Sequence, residues 1–238
     1  MAKRKARGET IHGEGRDSLL MSKKWIVGLK VLAHAACLGP VAWLLWRLYL
    51  SVTTDPTALG PDPTHTVTFF TGRGTLRLLV ITLAVTPVRR LIPKLSWLVR
   101  FRRLLGLYAF FYACLHLLTY VWLYAGWSWA AMVDDISQRR FITAGLAAWL
   151  MLLPLALTST SWSIRKLGGK NWNRLHWLTY GAAITGAIHY WWGVKTGVKT
   201  PLTITVVLGI LLLARPVLKY RAQSAGLRAQ RAEGKVAS

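Results

Sequence analysis

Three histidines lie inside long apolar runs of the sequence. His176 and His189 fall in the run from Asn173 to Val194, and His116 falls in the run from Leu104 to Tyr124. Ionisable side chains inside a membrane span are costly, and they usually mark a path for ions, protons or a cofactor. A neutral imidazole is the cheapest of them to bury, and it is also a ligand of haem iron. The pattern therefore predicts a b-type haem embedded in a membrane.

The spacing of the histidines decides which of them can face one iron. The thirteen-residue step from His176 to His189 rises about 20 Å along a helix, so these two rings lie near opposite membrane surfaces and cannot share one metal ion. The same step turns the helix through about 220° beyond three full turns, so the two residues do not share a face. His116, on another run, is the expected partner of His189.

The elements that carry these histidines are predicted from segment length. The chain has 238 residues, 53% of them apolar, arranged in runs long enough to cross a hydrocarbon core of about 30 Å. We expect an all-α, polytopic bundle of six transmembrane helices. Their predicted bounds are Trp25 to Leu50, Gly74 to Leu91, Leu104 to Tyr124, Phe141 to Thr158, Asn173 to Val194 and Pro201 to Val217.

Basic residues fix the predicted orientation of this bundle. Of 31 Lys and Arg residues, 23 lie in the amino-terminal arm, the second and fourth connections and the carboxyl-terminal tail, against seven on the other side. By the positive-inside rule, both termini are then cytoplasmic. The net charge of +23 is explained by these flanks against anionic lipid, and no nucleic-acid motif is recognisable, so we expect no nucleic-acid partner.

Orientation and spacing together predict that His116 and His189 lie at one depth. His116 is about 13 residues beyond Arg103, or roughly 20 Å into its helix, and His189 is about 15 residues beyond Arg174, or roughly 22 Å. Both then fall in the outer half of the bilayer. His176 lies within a turn of the inner surface. Equal depth favours His116 and His189 as the two axial ligands of one haem.

The rest of the chain is expected to be peripheral to this site. Residues 1–24 are predicted to be a basic, disordered cytoplasmic extension, residues 25–220 the membrane domain, and residues 221–238 a basic cytoplasmic tail. His34 is interpreted as a packing residue of the first helix, and His65 as a solvated residue of the turn-rich loop from Ser51 to Arg73.

Several short motifs, taken in order, resemble one family. They are Thr71-Gly72-Arg73, Arg102-Arg103-Leu-Leu-Gly106-Leu, Leu115-His116-Leu-Leu-Thr-Tyr120, Leu157-Thr-Ser-Thr160, Leu175-His176 and Ile188-His189-Tyr-Trp. The ordered set, between about Trp25 and Tyr220, is similar to the MsrQ (YedZ) family of haem-binding membrane subunits and, more distantly, to the ferric reductase transmembrane domain.

The resemblance implies a bacterial inner-membrane, multi-pass protein that binds haem b and FMN. It implies electrons taken from the quinone pool or a cytosolic flavin reductase and delivered to MsrP, a periplasmic molybdopterin enzyme that reduces methionine sulfoxide in oxidised envelope proteins. By position, His116, His176 and His189 match the family's haem-associated histidines. The sulfoxide-reducing site itself would lie in MsrP.

The sequence departs from the broader ferric reductase pattern at Arg102. Those domains have a second histidine about fourteen residues before the position of His116, and here that position is Arg102, followed by Arg103. An inner haem would lack its second ligand, which leaves His176 for a flavin or an unusual haem. Arg102, Arg103 and Arg174 lie where a flavin phosphate or a quinone headgroup would arrive, or they anchor helices at anionic lipid.

Three other interpretations stay open at this point. A ferric or cupric reductase would need a separate nicotinamide-binding donor, because the chain has no GxGxxG motif. A haem-free scaffold would use the histidines for packing alone. A transporter is disfavoured, because the predicted spans contain no acidic residue and the chain shows no evident repeat.

Overall fold

Every regular element in the described part of the computed structural model, residues 23–194 and 199–236, is a helix, which confirms the all-α class. The elements are α1 (Lys23–Thr53), α2 (Pro63–Leu91), a 3-10 segment (Pro93–Phe101), α3 (Arg102–Leu123), α4 (Trp129–Gln138), α5 (Arg140–Leu157), α6 (Ser161–Leu175), α7 (Leu178–Gly193) and α8 (Lys199–Val236). Residues 1–22 of the predicted disordered extension lie outside the described residues.

Five helical stretches are long and apolar enough to cross a membrane. They are Trp25–Thr53, Pro63–Leu91, Pro93–Leu123, Arg140–Leu157 and Lys199–Arg221. Helix α7 has 16 residues, or about 24 Å at 1.5 Å per residue. This is shorter than the roughly 20 residues of an ordinary span. The sixth span therefore stays a prediction.

The chain divides into two compact units, Met1–Ala58 and Leu59–Ser238. The first unit contains α1, which leaves large apolar side chains such as Trp25, Val31 and Trp46 exposed. Such a surface suits contact with lipid, where apolar side chains need no protein partner. The second unit contains α2 to α8 and all three histidines of the predicted site.

Helices of the second unit pack as two closely associated pairs, α2 with α3 and α5 with α7. Small residues at the interfaces let the helix backbones approach closely. Ala109, Ala113 and Ala182 are such residues, and they are buried in one core cluster with Leu79 and Leu152. Helix α8 packs against α2 and α7. The two pairs matter for function because each of them carries one histidine of the predicted pair.

The second span begins earlier than predicted. We expected a loop up to Arg73 and a helix from Gly74, but α2 begins at Pro63. Asp62 caps it by accepting a hydrogen bond from the His65 backbone N–H at 2.9 Å, and Pro63 occupies the first turn, where its missing N–H costs nothing. His65 is exposed as expected, although it lies on this helix, with its ring stacked on Phe69 at 3.9 Å.

The single helix predicted from Asn173 to Val194 is wrong. Helix α6 occupies the segment that we expected to be a turn and ends at Leu175, and α7 begins at Leu178, so His176 lies in the break between them. Helical structure is more extensive than predicted at two other places. The short α4 forms in the connection after α3, and α8 continues to Val236, beyond the predicted end at Val217.

Candidate functional site

His116 is held by the helix that packs beside its own. It lies on α3, about 21 Å along the helix axis from Arg102 at 1.5 Å per residue. Its Nδ1 is 3.0 Å from the backbone carbonyl oxygen of Thr68 on α2. A carbonyl oxygen only accepts, so Nδ1 carries the proton and Nε2 keeps its lone pair. The buried Thr71 hydroxyl, 3.4 Å from Nδ1, closes the same side of the ring.

His189 is held in the same way by the other helix pair. It lies on α7, and its Nδ1 donates a hydrogen bond to the backbone carbonyl oxygen of Phe141 on α5 at 2.6 Å. Its Nε2 therefore also keeps a lone pair. A hydrogen bond from the distal ring nitrogen to a carbonyl is the usual way in which a protein fixes the tautomer and orientation of a metal-binding histidine.

The two rings face each other across the helix pairs. Their centroids are 5.8 Å apart and their planes are inclined at 74°. Imidazole nitrogens bind first-row metal ions at about 2.0 to 2.1 Å. Adding about 1.15 Å from each nitrogen to its ring centre, two imidazoles on opposite sides of one metal ion have centroids about 6.3 to 6.5 Å apart. The observed 5.8 Å is about half an ångström shorter, so a small outward movement of the rings would let both hold a single iron.

Glycines make room for both rings. A Cβ on Gly145 would lie 2.7 Å from the Nδ1 of His189, and a Cβ on Gly72 would lie 3.0 Å from the Cε1 of His116. Any larger residue at Gly145 would force the imidazole to move. The packing thus depends on a small residue behind each histidine.

The donor set suits haem better than a bare ion. Among the residues that the structure describes, no group of three or more His, Cys, Asp or Glu side chains could hold a metal ion. Two histidines alone make an incomplete site for a free transition metal. In haem the porphyrin supplies the equatorial ligands, and two protein ligands complete the iron. The residues present therefore fit this group.

His176 has a different environment. Its ring stacks on Trp172 with centroids 3.7 Å apart, and its Nδ1 donates to the backbone carbonyl oxygen of Trp172 at 3.0 Å. Trp172 is itself anchored, because its Nε1 donates to the Thr158 carbonyl oxygen at 2.9 Å. His176 is thus held by contacts within its own chain segment, about 20 Å along the helices from the facing pair.

The three predicted arginines do not form one group. Arg102 is partly buried, and its Nη1 lies 3.5 Å from the Thr86 hydroxyl. Arg103 and Arg174 are exposed. Of the three, Arg102 alone is directed into the bundle by a hydrogen bond.

Two other arginines join Arg102 and were missed by the sequence analysis. Arg215 on α8 is partly buried, and the charges of Arg102 and Arg90 act on its guanidinium. The Nη1 of Arg90 donates to the Arg215 carbonyl oxygen at 3.3 Å. We name Arg90, Arg102 and Arg215 the arginine cluster. A signal was present in the sequence, because Arg215 falls inside the predicted sixth span, where a cation is costly.

Comparison with known proteins gives one consistent family. Residues 71–187 match the model of the ferric reductase like transmembrane component. The protein-methionine-sulfoxide reductase heme-binding subunit MsrQ of Xanthomonas campestris pv. campestris strain 8004 is 43% identical over 194 residues, which cover 81% of this chain and 88% of that protein. MsrQ of Herminiimonas arsenicoxydans is 43% identical over 181 residues, covering 75% of this chain and 81% of that protein.

Proposed function

The chain belongs to the MsrQ family, and we propose that it is a b-type haem subunit that carries electrons across a bacterial inner membrane. His116 and His189 would hold the haem iron. One observation carries the proposal: their rings face each other at 5.8 Å, and both Nδ1 atoms donate to backbone carbonyls, so both Nε2 atoms are free to bind iron.

The residues around the haem have defined roles in this proposal. Haem supplies one-electron chemistry when it is bound. His116 and His189 would hold the haem iron between two imidazoles, an arrangement suited to electron transfer and not to binding oxygen or a substrate. The carbonyl oxygens of Thr68 and Phe141 hold each ring in one tautomer and make its Nε2 more basic. Gly72 and Gly145 keep the space behind the rings free.

The proposed topology gives electron transfer a direction. Six spans within residues 25–220, with both termini cytoplasmic, place the basic segments inside. The facing histidines are then near the periplasmic surface, and His176 with the arginine cluster is near the cytoplasmic surface. Electrons would enter at the basic end of the bundle and leave near the histidine pair.

The partners follow from the family. We propose that the donor is the quinone pool or a cytosolic flavin reductase, with FMN as a second cofactor near His176, Arg102, Arg103 and Arg174. The acceptor would be the periplasmic molybdopterin subunit MsrP, which would carry out the reduction of methionine sulfoxide for repair of envelope proteins. The present chain would supply electrons and no sulfoxide-reducing site of its own.

A second candidate is a membrane ferric reductase-type cytochrome with another acceptor. The match of residues 71–187 to the ferric reductase like transmembrane component favours it. The two candidates share the haem and differ in what the reduced protein reduces. A haem-free membrane scaffold is the third candidate, in which the same histidines serve packing only.

The test is optical and then functional. The detergent-purified, haem-supplied protein should give a low-spin b-type spectrum when the dithionite-reduced form is compared with the oxidised form, with haem quantified as the pyridine haemochrome. In liposomes, the reduced protein should be reoxidised by MsrP with oxidised methionine substrate and not by ferric citrate. Preferential reoxidation by ferric citrate would favour the ferric reductase. A folded but colourless protein would refute electron transfer and leave the scaffold.

A further inference from the structure

The short helix α4 and the turn before it leave large apolar side chains uncovered. Trp129 is 79% exposed, and Val133, about one turn later on α4, is 64% exposed. Trp127, in the turn that precedes α4, is 62% exposed. Large apolar side chains gathered in one short stretch mark a contact with a membrane or with another protein.

The residues of α4 divide into three sectors around the helix axis at about 100° per residue. One sector faces the bundle and contains the partly buried side chains of α4, namely Met132, Asp135 and Ile136. Trp129 and Val133 share a second sector, which we call the apolar edge. The exposed residues Asp134 and Gln138 share a third, the polar edge, about 140° around the helix from the apolar edge. This division suits a helix that lies in the plane of a membrane surface.

The chain connections hold α4 close to the ends of two spans. Helix α5 begins at Arg140, and only Arg139 separates it from α4. Asp135 of α4 accepts a hydrogen bond from the Tyr120 hydroxyl at 2.9 Å, and Tyr120 lies about one turn before the end of α3. Both α3 and α5 belong to stretches that are long and apolar enough to cross a membrane. Helix α4 must therefore lie at the surface where these spans end.

The turn before α4 holds Trp127 in an unfavourable backbone conformation. Its φ is 62°, in the left-handed region that glycine ordinarily occupies, and a bulky side chain there costs conformational free energy. Its backbone N–H fixes the turn by donating to the Val121 carbonyl oxygen on α3 at 3.0 Å. Trp122, near the end of α3, is 57% exposed, so the apolar surface continues from the turn onto the span.

We propose that α4 and the turn before it anchor the protein in the membrane surface nearest the histidine pair. Trp127, Trp129 and Val133 lie among the lipid headgroups, and Asp134 and Gln138 remain in water. Tryptophan suits this position because its ring is largely apolar while its N–H can bond to headgroups and water. The anchor goes beyond the proposed function and does not rest on it, since none of these residues contacts the haem ligands.

The anchor affects the histidine pair because α4 is tied to both of the elements that hold it. Tyr120, which donates to Asp135 of α4, lies about one turn beyond His116 on α3. Phe141, whose carbonyl oxygen accepts the hydrogen bond of His189, is the second residue of α5. Fixing α4 at the membrane surface therefore fixes the depth of both histidines.

The test measures which edge of α4 meets lipid, using the full-length protein in phosphatidylcholine vesicles. The native thiols are removed by Cys37→Ala and Cys114→Ala. A nitroxide spin label is attached through Val133→Cys on the apolar edge or through Gln138→Cys on the polar edge. Power-saturation electron paramagnetic resonance then compares the collisions of each label with oxygen, which concentrates in lipid, and with a water-soluble nickel chelate.

A second measurement keeps the test valid if the chain without its native thiols does not fold. Val133→Cys and Gln138→Cys are then made with the native cysteines present. Each variant is treated in vesicles with a water-soluble maleimide, and the added mass is compared with that of the wild type. The maleimide should modify Gln138→Cys and leave Val133→Cys largely unmodified.

We expect the ratio of oxygen to nickel collisions to be several-fold higher for the Val133 label than for the Gln138 label. Trp129→Ser should lower the ratio at Val133, because the anchor loses its largest side chain on that edge. Trp162→Ser is the matched control and should leave the ratio unchanged, since Trp162 is an exposed tryptophan on α6, at the other end of the bundle.

Two results would overturn the anchor. Equal access of the nickel chelate to both labels would mean that α4 stands clear of the membrane in water. Low access of both reagents to the Val133 label would mean that protein, such as a second copy of the chain or an electron acceptor, covers the apolar edge. A colourless protein with the expected ratios would refute the haem and keep the anchor.

Discussion

The two ends of the bundle differ in what surrounds their histidines. At one end His116 and His189 face each other at 5.8 Å, each fixed through Nδ1 by a carbonyl of the neighbouring helix. At the other end the His176 ring stacks on Trp172, four residues earlier in the chain, and its Nδ1 donates a hydrogen bond to the Trp172 carbonyl oxygen. The first end can ligate iron from both sides, whereas the second offers one imidazole.

The two ends therefore differ in the number of imidazoles that they offer to a metal ion. Arg102 cannot bind iron, because a guanidinium stays protonated and has no lone pair to offer. Its charge also disfavours a second cation nearby and favours an anion. We infer that one end is suited to haem and the other to an anionic ligand.

The largest expected effect is the loss of haem affinity when either proposed iron ligand is replaced. His116→Ala and His189→Ala should each lower haem affinity by roughly 100-fold or more, since even residues behind a ligand contribute 10- to 100-fold. The haem content of purified variants, measured as the pyridine haemochrome, checks this. His176→Ala is the matched control at the other end and should keep full haem content. Loss of haem in His176→Ala alone would reverse the assignment of the two ends.

Crowding one ring should have the next largest effect. Gly145→Ala places a Cβ 2.7 Å from His189, and Gly74→Ala places one 2.5 Å from Tyr112, so the two steric clashes are similar. Each should cost about 1 to 3 kcal/mol of stability. Only Gly145→Ala should also lower haem affinity, by about tenfold, because it displaces a ligand. Equal haem content in both variants would show that the room behind His189 is immaterial.

Loosening His176 should affect stability and leave the haem alone. Trp172→Phe keeps an aromatic ring against His176 but removes the hydrogen bond to Thr158, so we expect a loss of about 1 kcal/mol. Thermal unfolding in detergent measures the loss, and the haem absorption peak should stay at the same wavelength. A shifted peak would mean that the basic end contributes to the haem environment.

The smallest expected effect on stability concerns the connection between α3 and α5, which contains the short helix α4. Tyr120 on α3 donates to the Asp135 carboxylate on α4 at 2.9 Å. Tyr120→Phe should cost about 1 kcal/mol, less than a fully buried bond to a charged group because the pair is partly exposed. Ser137→Ala, at an exposed position on the same short helix, should be near neutral. If Tyr120→Phe released haem, α4 would have to be counted as part of the haem site.

The histidine pair could be predicted from sequence because depth depends on only two simple quantities. Charge set the direction of each helix, and residue number set the distance of His116 and His189 from its start. The carbonyl partners could not be predicted, since Thr68 and Phe141 contribute backbone atoms that any residue would offer. The glycines behind the rings were visible in sequence, but their role needs the packing of separate helices.

Other predictions from the sequence were wrong or incomplete, for identifiable physical reasons. The break at His176 has no proline or glycine beside it, so an apolar run through it reads as one helix. The early start of α2 was signalled by Asp62 and Pro63, but those residues also suit a turn. Arg215 lies two residues before the predicted end of the sixth span, where a basic residue ordinarily marks a flank, and its hydrogen bond to the Leu83 carbonyl oxygen depends on a proline in another helix.

The most direct test of the central claim is the low-temperature electron paramagnetic resonance spectrum of the oxidised protein. Two imidazoles on one ferric haem give a low-spin signal, and the facing pair predicts that signal for the wild type. Loss of the low-spin signal in both His116→Ala and His189→Ala, and its retention in His176→Ala, would assign the two ligands to the facing pair. A high-spin signal, typical of iron with fewer than two strong axial ligands, would contradict the account.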